Sequence, residues 1–327
     1  MPALFDKVKT SAQPGGRPPA AVELTAEGAL AAASPGPGQA PVYAFAPLPP
    51  EALAAGIEHA NLRAPQAVAE AIRSALDQVS PRTRSVTLVL PDTAVRVFVL
   101  DFDALPAKAS EAISVIRFRL RKMIPFDAEH AGISYQVLSQ SKGECKALTA
   151  VMPGPILAEY ESAMRAAGYE AGAVLPSSLA ALEMADSLEA VLAANLSDAA
   201  ITTLITTGQD LLLYRTLDLP VNAGERVAEI RRSVAVATAY FEDKLGAPPR
   251  VLHYTGNRDA AEFAGWLGNG GHPLIEPTAI EPPTAELAVV ELAERPLSGM
   301  LTPLGQQSIA GVAGALARGG VHAGAAR

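Results

Sequence analysis

The residues able to do chemistry are sparse, and few stand at working distance from one another. Asp101 and Asp103 form an Asp-x-Asp at what reads as a strand end. Carboxylates two apart on a strand share a face and can hold a divalent cation. The plainer reading is that both face water while Phe102 turns inward. Five histidines (His59, His130, His253, His272 and His322) stand singly, without metal-ligand pairing. Cys145, in SKGECKAL, is the one cysteine, so it makes neither an intramolecular disulfide nor a Cys-rich zinc site. It reads as a small, half-buried residue in or beside a strand. There is no GxxxxGK(S/T) phosphate loop, no GxGxxG after a strand and no GxSxG nucleophile elbow. No catalytic residue and no metal site is expected. What stands out is a basic cluster of Arg117, Arg119, Arg121 and Lys122. Beside an apolar helix face it suits an acidic partner or anionic headgroups, against the plain alternative of a solvated face.

Composition narrows the class. The chain has 327 residues and a hydrophobic fraction of 49%, but 64 residues are alanine and aromatics make only 5%. Alanine adds little core volume, so Leu, Val and Ile on a few patterned segments must build the core. Twenty-six basic against 34 acidic residues give −8, which excludes a general nucleic-acid binder, because that needs a basic footprint. The N-terminus MPALFDKVKT is charged where a signal peptide is apolar. No apolar run of the ~18 residues needed to span a bilayer is present. The expectation is a cytoplasmic protein that reaches a membrane only through a partner.

The elements that position these residues alternate between hairpins and helices. Residues 21–32 read as a hairpin turning at Glu27-Gly28, after a Pro/Gly-rich stretch over 10–20. Val68, Ile72, Leu76 and Val79 define a helix over 65–79. SVTLVLP (85–91) and AVRVFVLDF (94–102) read as a hairpin turning at Pro91–Thr93. Ile113, Ile116, Leu120 and Met123 form one face of a helix over 107–123, which stops before Pro125. Strands at 133–140 and 147–153 pair across Lys142-Gly143, and a helix at 155–167 ends at Gly168. The spacing then predicts a helix over 177–194, a hairpin of 199–207 with LLLYRTLDL, a helix over 223–245, a strand at 251–256, a short helix and a final helix over 307–317. The tail from Arg318 reads as mobile. The pattern occurs twice, so the class is α/β with mixed sheets.

Particular blocks carry a resemblance. SVTLVLPDTAVRVFVLDFDALP followed by IRFRLRKMIPFDAEHAGISYQVL is similar to the middle of the PilM family. These are the actin-like cytoplasmic proteins of type IV pilus assembly, related to the cytoplasmic part of the type II secretion L component. The matching features are Pro91-Asp92 to Arg96, Leu105-Pro106 and Ile124-Pro125-Phe126. GYEAGAVLPSSLAALEMADS, EIRRSVAVATAYFEDKLG and QSIAGVAGALA follow in the family's order, so the likeness runs over roughly 20–317. It implies an actin-like fold of two RNase H-like halves with mixed sheets, 21–172 and 173–317, and a small inserted subdomain at about 90–150. Residues 1–20 would be a disordered N-terminus and 318–327 a flexible tail.

The departures matter as much as the matches. Actin-like nucleotide binders hold phosphates on two hairpins led by Asp-x-Gly. Here Glu23 and Thr25 occupy the first place, and no Lys follows. In the second hairpin, taken as AAITTLITTGQDLLLYR, Ile201, Thr202 and Thr203 replace the motif and only Gly208 remains. The adenosine segment is Tyr254-Thr255-Gly256-Asn257 in place of Gly-Gly. Glu23, Thr25, Gly208 and Gly256 are thus the positions of a degenerate nucleotide site. The expected cofactor is none, with ATP bound through an atypical site as the alternative and an actin-like kinase a more distant one. The resemblance implies a non-catalytic scaffold at the inner face of the cytoplasmic membrane. Its partners would be the cytoplasmic tail of a PilN-like bitopic membrane protein and other pilus components, with Arg117, Arg121, Pro125 and Phe126 as the contact region.

Overall fold

Alanine-rich strands set the architecture. In the computed structural model β1 (Ala20–Leu24) and β2 (Gly28–Ala33) are buried along their whole length. The structure describes residues 17–36, 39–185, 189–208, 210–268, 287–293, 298–304 and 307–317. Strands with such short side chains let helices approach closely from both faces. β1 and β2 join β3 (Val42–Pro47), β4 (Ser85–Leu90) and β8 (Glu170–Pro176) in a sheet of order β3-β2-β1-β4-β8. α1 (Pro65–Val79) lies on β2 and β3, burying Val68, Ile72, Leu76 and Val79, the side chains of the expected face. α3 (Gly154–Ala166) packs beside it.

A second sheet repeats the first. Its order is β11-β10-β9-β12-β13, formed by β9 (Ala190–Leu196), β10 (Ala200–Thr207), β11 (Asp210–Asp218), β12 (Val251–Gly256) and β13 (Ala288–Glu291). In each sheet an antiparallel meander of three strands is extended by two parallel ones. α5 (Ala223–Leu245) and α6 (Ala260–Leu267) cover the second sheet, burying Val227, Ile230, Val234, Phe241 and Phe263. The two halves are joined by α4 (Ser177–Leu182), which follows β8, and α7 (Ala310–Leu316), which packs back onto β1 and β2. The closing helix thus shares the core of the first half, although the sequence order placed 307–317 with the second.

Between β4 and β8 the chain builds a smaller sheet, β5-β7-β6, from β5 (Arg96–Phe102), β6 (Gly132–Ser141) and β7 (Glu144–Met152). Alternation divides its faces. Val97, Leu148, Ala150 and Met152 join the main core, while Leu100 and Val151 lie in a separate cluster with Ile116 and Leu120 of α2 (Ala109–Leu120).

Four expectations are corrected. The strands at 85–90 and 96–102 do not pair, because β4 already has β1 and β8 on its two edges. A 3-10 turn at Asp92–Ala94 sends β5 elsewhere. Helix 177–194 is α4 followed by β9. Val191 and Ala193 face one core and Leu192, Ala194 and Leu196 the other, a period of two that overrides the helical propensity of alanine. The buried face of α2 is Ala112, Ile116 and Leu120; Met123 lies past its end, 43% exposed. Finally, the N-terminal stretch is anchored from Arg17, which pairs with Glu183 at 3.0 Å and donates to the Gly314 carbonyl. Residues 1–16, the tail 318–327, His272 and His322 lie outside the described residues.

The α4–α7 crossing needs glycine. A Cβ on Gly314 would stand 1.9 Å from the Ala180 carbonyl oxygen. Gly→Ala in a helix ordinarily stabilises by ~0.5–1 kcal/mol. Gly314→Ala should instead cost ~1–3 kcal/mol through overpacking, whereas Gly265→Ala in α6, with open space around it, should stabilise. Thermal melts of both variants test this, and a rise for Gly314→Ala would refute the packing.

Candidate functional site

The two sheets present corresponding hairpins. In β1–β2 the Thr25 N–H donates to the Gly28 carbonyl at 2.9 Å, and the Gly28 N–H donates to Thr25 Oγ1 at 3.3 Å. In β9–β10 the Ser197 N–H donates to the Ala200 carbonyl at 2.9 Å, and the Ala200 N–H donates to Ser197 Oγ at 3.1 Å. Glu23-Leu24-Thr25 therefore corresponds to Asn195-Leu196-Ser197. This places the second hairpin at β9–β10 and not at β10–β11. Gly208 lies just past the far end of β10, about 26 Å along the strand from Ala200. It supports a left-handed turn, with φ +58°, and takes no part in the cluster.

A cleft of about 380 Å³ separates the hairpin tips. Glu27, Phe45, Asp198, Asn257, Arg258, Leu304 and Gln307 line it. Asn257 Nδ2 donates to Glu27 at 3.2 Å, and Arg258 pairs with Asp198 at 2.8 Å. Gly256 sits at the base of the second hairpin, where a Cβ would stand 2.5 Å from the Leu196 carbonyl oxygen. Its role is close strand packing.

Behind the tips a buried polar network spans the halves. Glu23 accepts from Ser177 Oγ at 2.5 Å. Asp92 accepts from the Ser178 N–H at 3.0 Å, from Ser178 Oγ at 2.9 Å, from Tyr214 at 3.3 Å and from Asn195 Nδ2 at 2.9 Å. Asn195 also donates to Ser177 at 3.2 Å. Backbone φ below zero at Thr25 and Ser197 lets both turns close with non-glycine residues. Two N–H groups of each turn are then engaged within its own hairpin. A Cβ on Gly311 of α7 would lie 2.3 Å from the Glu23 carboxylate, so α7 fills the space in front of it.

Burial governs the electrostatics here. Desolvation raises Glu23 to about 7, against the Ser177 hydrogen bond and assisted by the Asp92 charge. Desolvation also raises Asp92, although four hydrogen bonds favour its charged form. Tyr214 is raised well above its ordinary value by burial and by the Asp92 charge, so its hydroxyl keeps its proton. The sequence motif Pro91-Asp92 carried the signal for Asp92, but nothing in the local pattern paired it with Asn195 or Tyr214.

The other sequence candidates gather at the end of α2. Arg117 is half-buried, and its Nη1 donates to the carbonyls of Ala128, Glu129 and Ala131. It staples the 128–131 loop onto the helix. Arg121 pairs with Glu129. Pro125 is exposed and Phe126 half-buried over the α2 cluster. The exposed residue the pattern reading passed over is Phe118, 71% accessible, although its place between Arg117 and Arg119 marked it as outward-facing. Cys145 is wholly buried in β7. Asp101 is exposed in β5, and among the described residues no group of three or more His, Cys, Asp or Glu could hold a metal.

Because Glu23 keeps a proton in the folded state that the unfolded chain releases near pH 4.5, stability must fall as pH rises from about 4.5 to about 7. Glu23→Gln removes this cost. It should leave stability near wild type at pH 5 and raise it by roughly 2–3 kcal/mol at pH 8. Denaturant melts at the two pH values check the sign; equal effects at both would contradict it.

No protein-family model matches the sequence, and a search of curated proteins finds no match. Solved structures do. A chain of the "PilM-PilN type IV pilus biogenesis complex" superposes with a TM-score of 0.68 at 18% identity, over 92% of this chain and 98% of that one. The cytoplasmic domain of EpsL, an inner membrane component of the Vibrio cholerae type II secretion system, gives 0.46 at 14% identity over 80% and 90%. A Bacteroides thetaiotaomicron protein with an actin-like ATPase fold gives 0.44 at 10% over 74% and 83%. Among the described residues, no helix is long and apolar enough to cross a membrane. The repeated sheets, the two crossing helices and the inserted three-stranded sheet give this chain the actin-like α/β fold that the sequence led one to expect.

Proposed function

We propose that this protein is a non-catalytic scaffold of a type IV pilus, or related type II secretion, assembly at the inner face of the cytoplasmic membrane. It binds the cytoplasmic tail of a PilN-like membrane protein. The observation that carries this reading is the likeness in fold to a chain of the PilM-PilN complex over nearly the full length of both. The state of the cleft supports the non-catalytic part. A nucleotide triphosphate needs unengaged N–H donors and cations. Here the Thr25, Gly28, Ser197 and Ala200 N–H groups bond within their hairpins. Glu27 and Asp198 bring two carboxylates, and Arg258 is already paired. The residues present do not fit ATP with Mg²⁺, and the protein works by holding partners.

The tail is placed against the end of α2, at Arg121, Pro125 and Phe126. Arg117 supports this surface from beneath, so Arg117→Glu would disturb the loop and is a poor probe. Arg121→Glu combined with Phe126→Ala should weaken binding of a synthetic PilN-like tail by tenfold or more in calorimetry. Unchanged affinity would remove this placement, and a wild-type protein that binds no such tail would remove the partner.

The nucleotide question has its own measurement. A ligand at 100 times its Kd stabilises by ~2.7 kcal/mol, which moves the melt of a chain this size by several degrees. No shift is expected with millimolar Mg-ATP. A shift that Asp198→Asn alters would establish an atypical nucleotide site.

A further inference from the structure

The outward face of α2 differs in chemistry from the rest of the molecule. Ala112, Ile116 and Leu120 face the small sheet. At 100° per residue, Phe118 points the opposite way. It is 71% exposed, and Val115, about 60° round the helix from it, is 39% exposed. Arg119 and Lys122 flank this apolar apex, both exposed, and neither forms an ion pair among the described residues. Arg121 stacks near the Phe118 ring, 5.9 Å from its centroid, while pairing with Glu129. Nearby, Lys108 pairs with Glu111 at 3.4 Å and His130 Nδ1 hydrogen-bonds with Asp127 at 2.5 Å. Arg117 is turned into the loop. In a chain of net charge −8, this face offers two unmatched cations around an exposed aromatic ring.

We propose that this face rests on an anionic bilayer surface, with Phe118 entering the interface and Arg119 and Lys122 at the headgroup phosphates. The shape favours a bilayer over a peptide. An extended or helical peptide docks in a groove with pockets, whereas Phe118 is the apex of a convex helix face, the arrangement by which short amphipathic surfaces enter a deformable interface. The charge is complementary, and each cation at an anionic surface strengthens binding about fivefold. With so few cations the contact orients a protein held there by a membrane partner, and does not by itself anchor it. Arg121 borders both this face and the tail surface at Pro125 and Phe126.

The test is flotation of the purified full-length protein with vesicles at several millimolar lipid, of phosphatidylcholine alone or with one-third phosphatidylglycerol. The protein should float with the anionic vesicles only, and high salt should release it. Arg119→Glu with Lys122→Glu should weaken binding by more than about 25-fold. Phe118→Ser should also lose it while keeping the wild-type melting temperature. Equal flotation with neutral vesicles, no flotation with either, or full flotation of the Phe118→Ser protein overturns the proposal. So does saturable binding of poly-glutamate at this face without vesicle binding, which would assign it to an acidic protein partner.

Discussion

Two carboxylates buried at the crossing of α4 and α7 constrain the whole molecule. Glu23 and Asp92 come from the first half, and their partners are Ser177, Ser178, Asn195 and Tyr214, spread over α4, β9 and β11. A buried carboxyl group without partners costs several kcal/mol. The network is complete only when both halves and α4 are in place. The polar groups therefore fix how the halves meet, and the glycines of α7 let the helices come near enough for the network to close. Gly311 faces Glu23 and Gly314 faces the Ala180 carbonyl.

The same features bear on the nucleotide cleft. An actin-like fold brings two hairpin tips face to face because its halves repeat one topology. What the tips then hold depends on which backbone N–H groups are free and which charges line the gap. Thr25 and Ser197 close each turn on itself, and Glu27 and Asp198 put a carboxylate on each side of the gap, the second paired with Arg258. The facing hairpins of the fold persist while the Thr25, Gly28, Ser197 and Ala200 N–H groups are engaged within them.

Much of the fold was legible in the sequence because side-chain period and burial coincide along long elements. The face of α1 at Val68, Ile72, Leu76 and Val79 is the buried face found, and α5 covers the expected span 223–245. Reading failed where burial is two-sided. In AVLAANL every residue but one of the last six is buried, so no polar face marks the strand, and alanine disguises it as helix. That one misreading moved the second hairpin a strand too far and put Gly208 in place of Asn195 and Ser197.

The sequence by itself determined the class, the doubled order of elements, the resemblance to PilM-type proteins and the loss of the Asp-x-Gly pairs, since these are local patterns and residue identities. Only the tertiary structure decided which residues share the central cluster, because Glu23, Asp92, Asn195 and Tyr214 are far apart in sequence and meet only when the two sheets close. It also decided that Arg117 is a structural staple while Phe118 is the exposed residue. Neighbouring positions on a helix differ by 100°, and which side is covered depends on where the sheet beneath it lies.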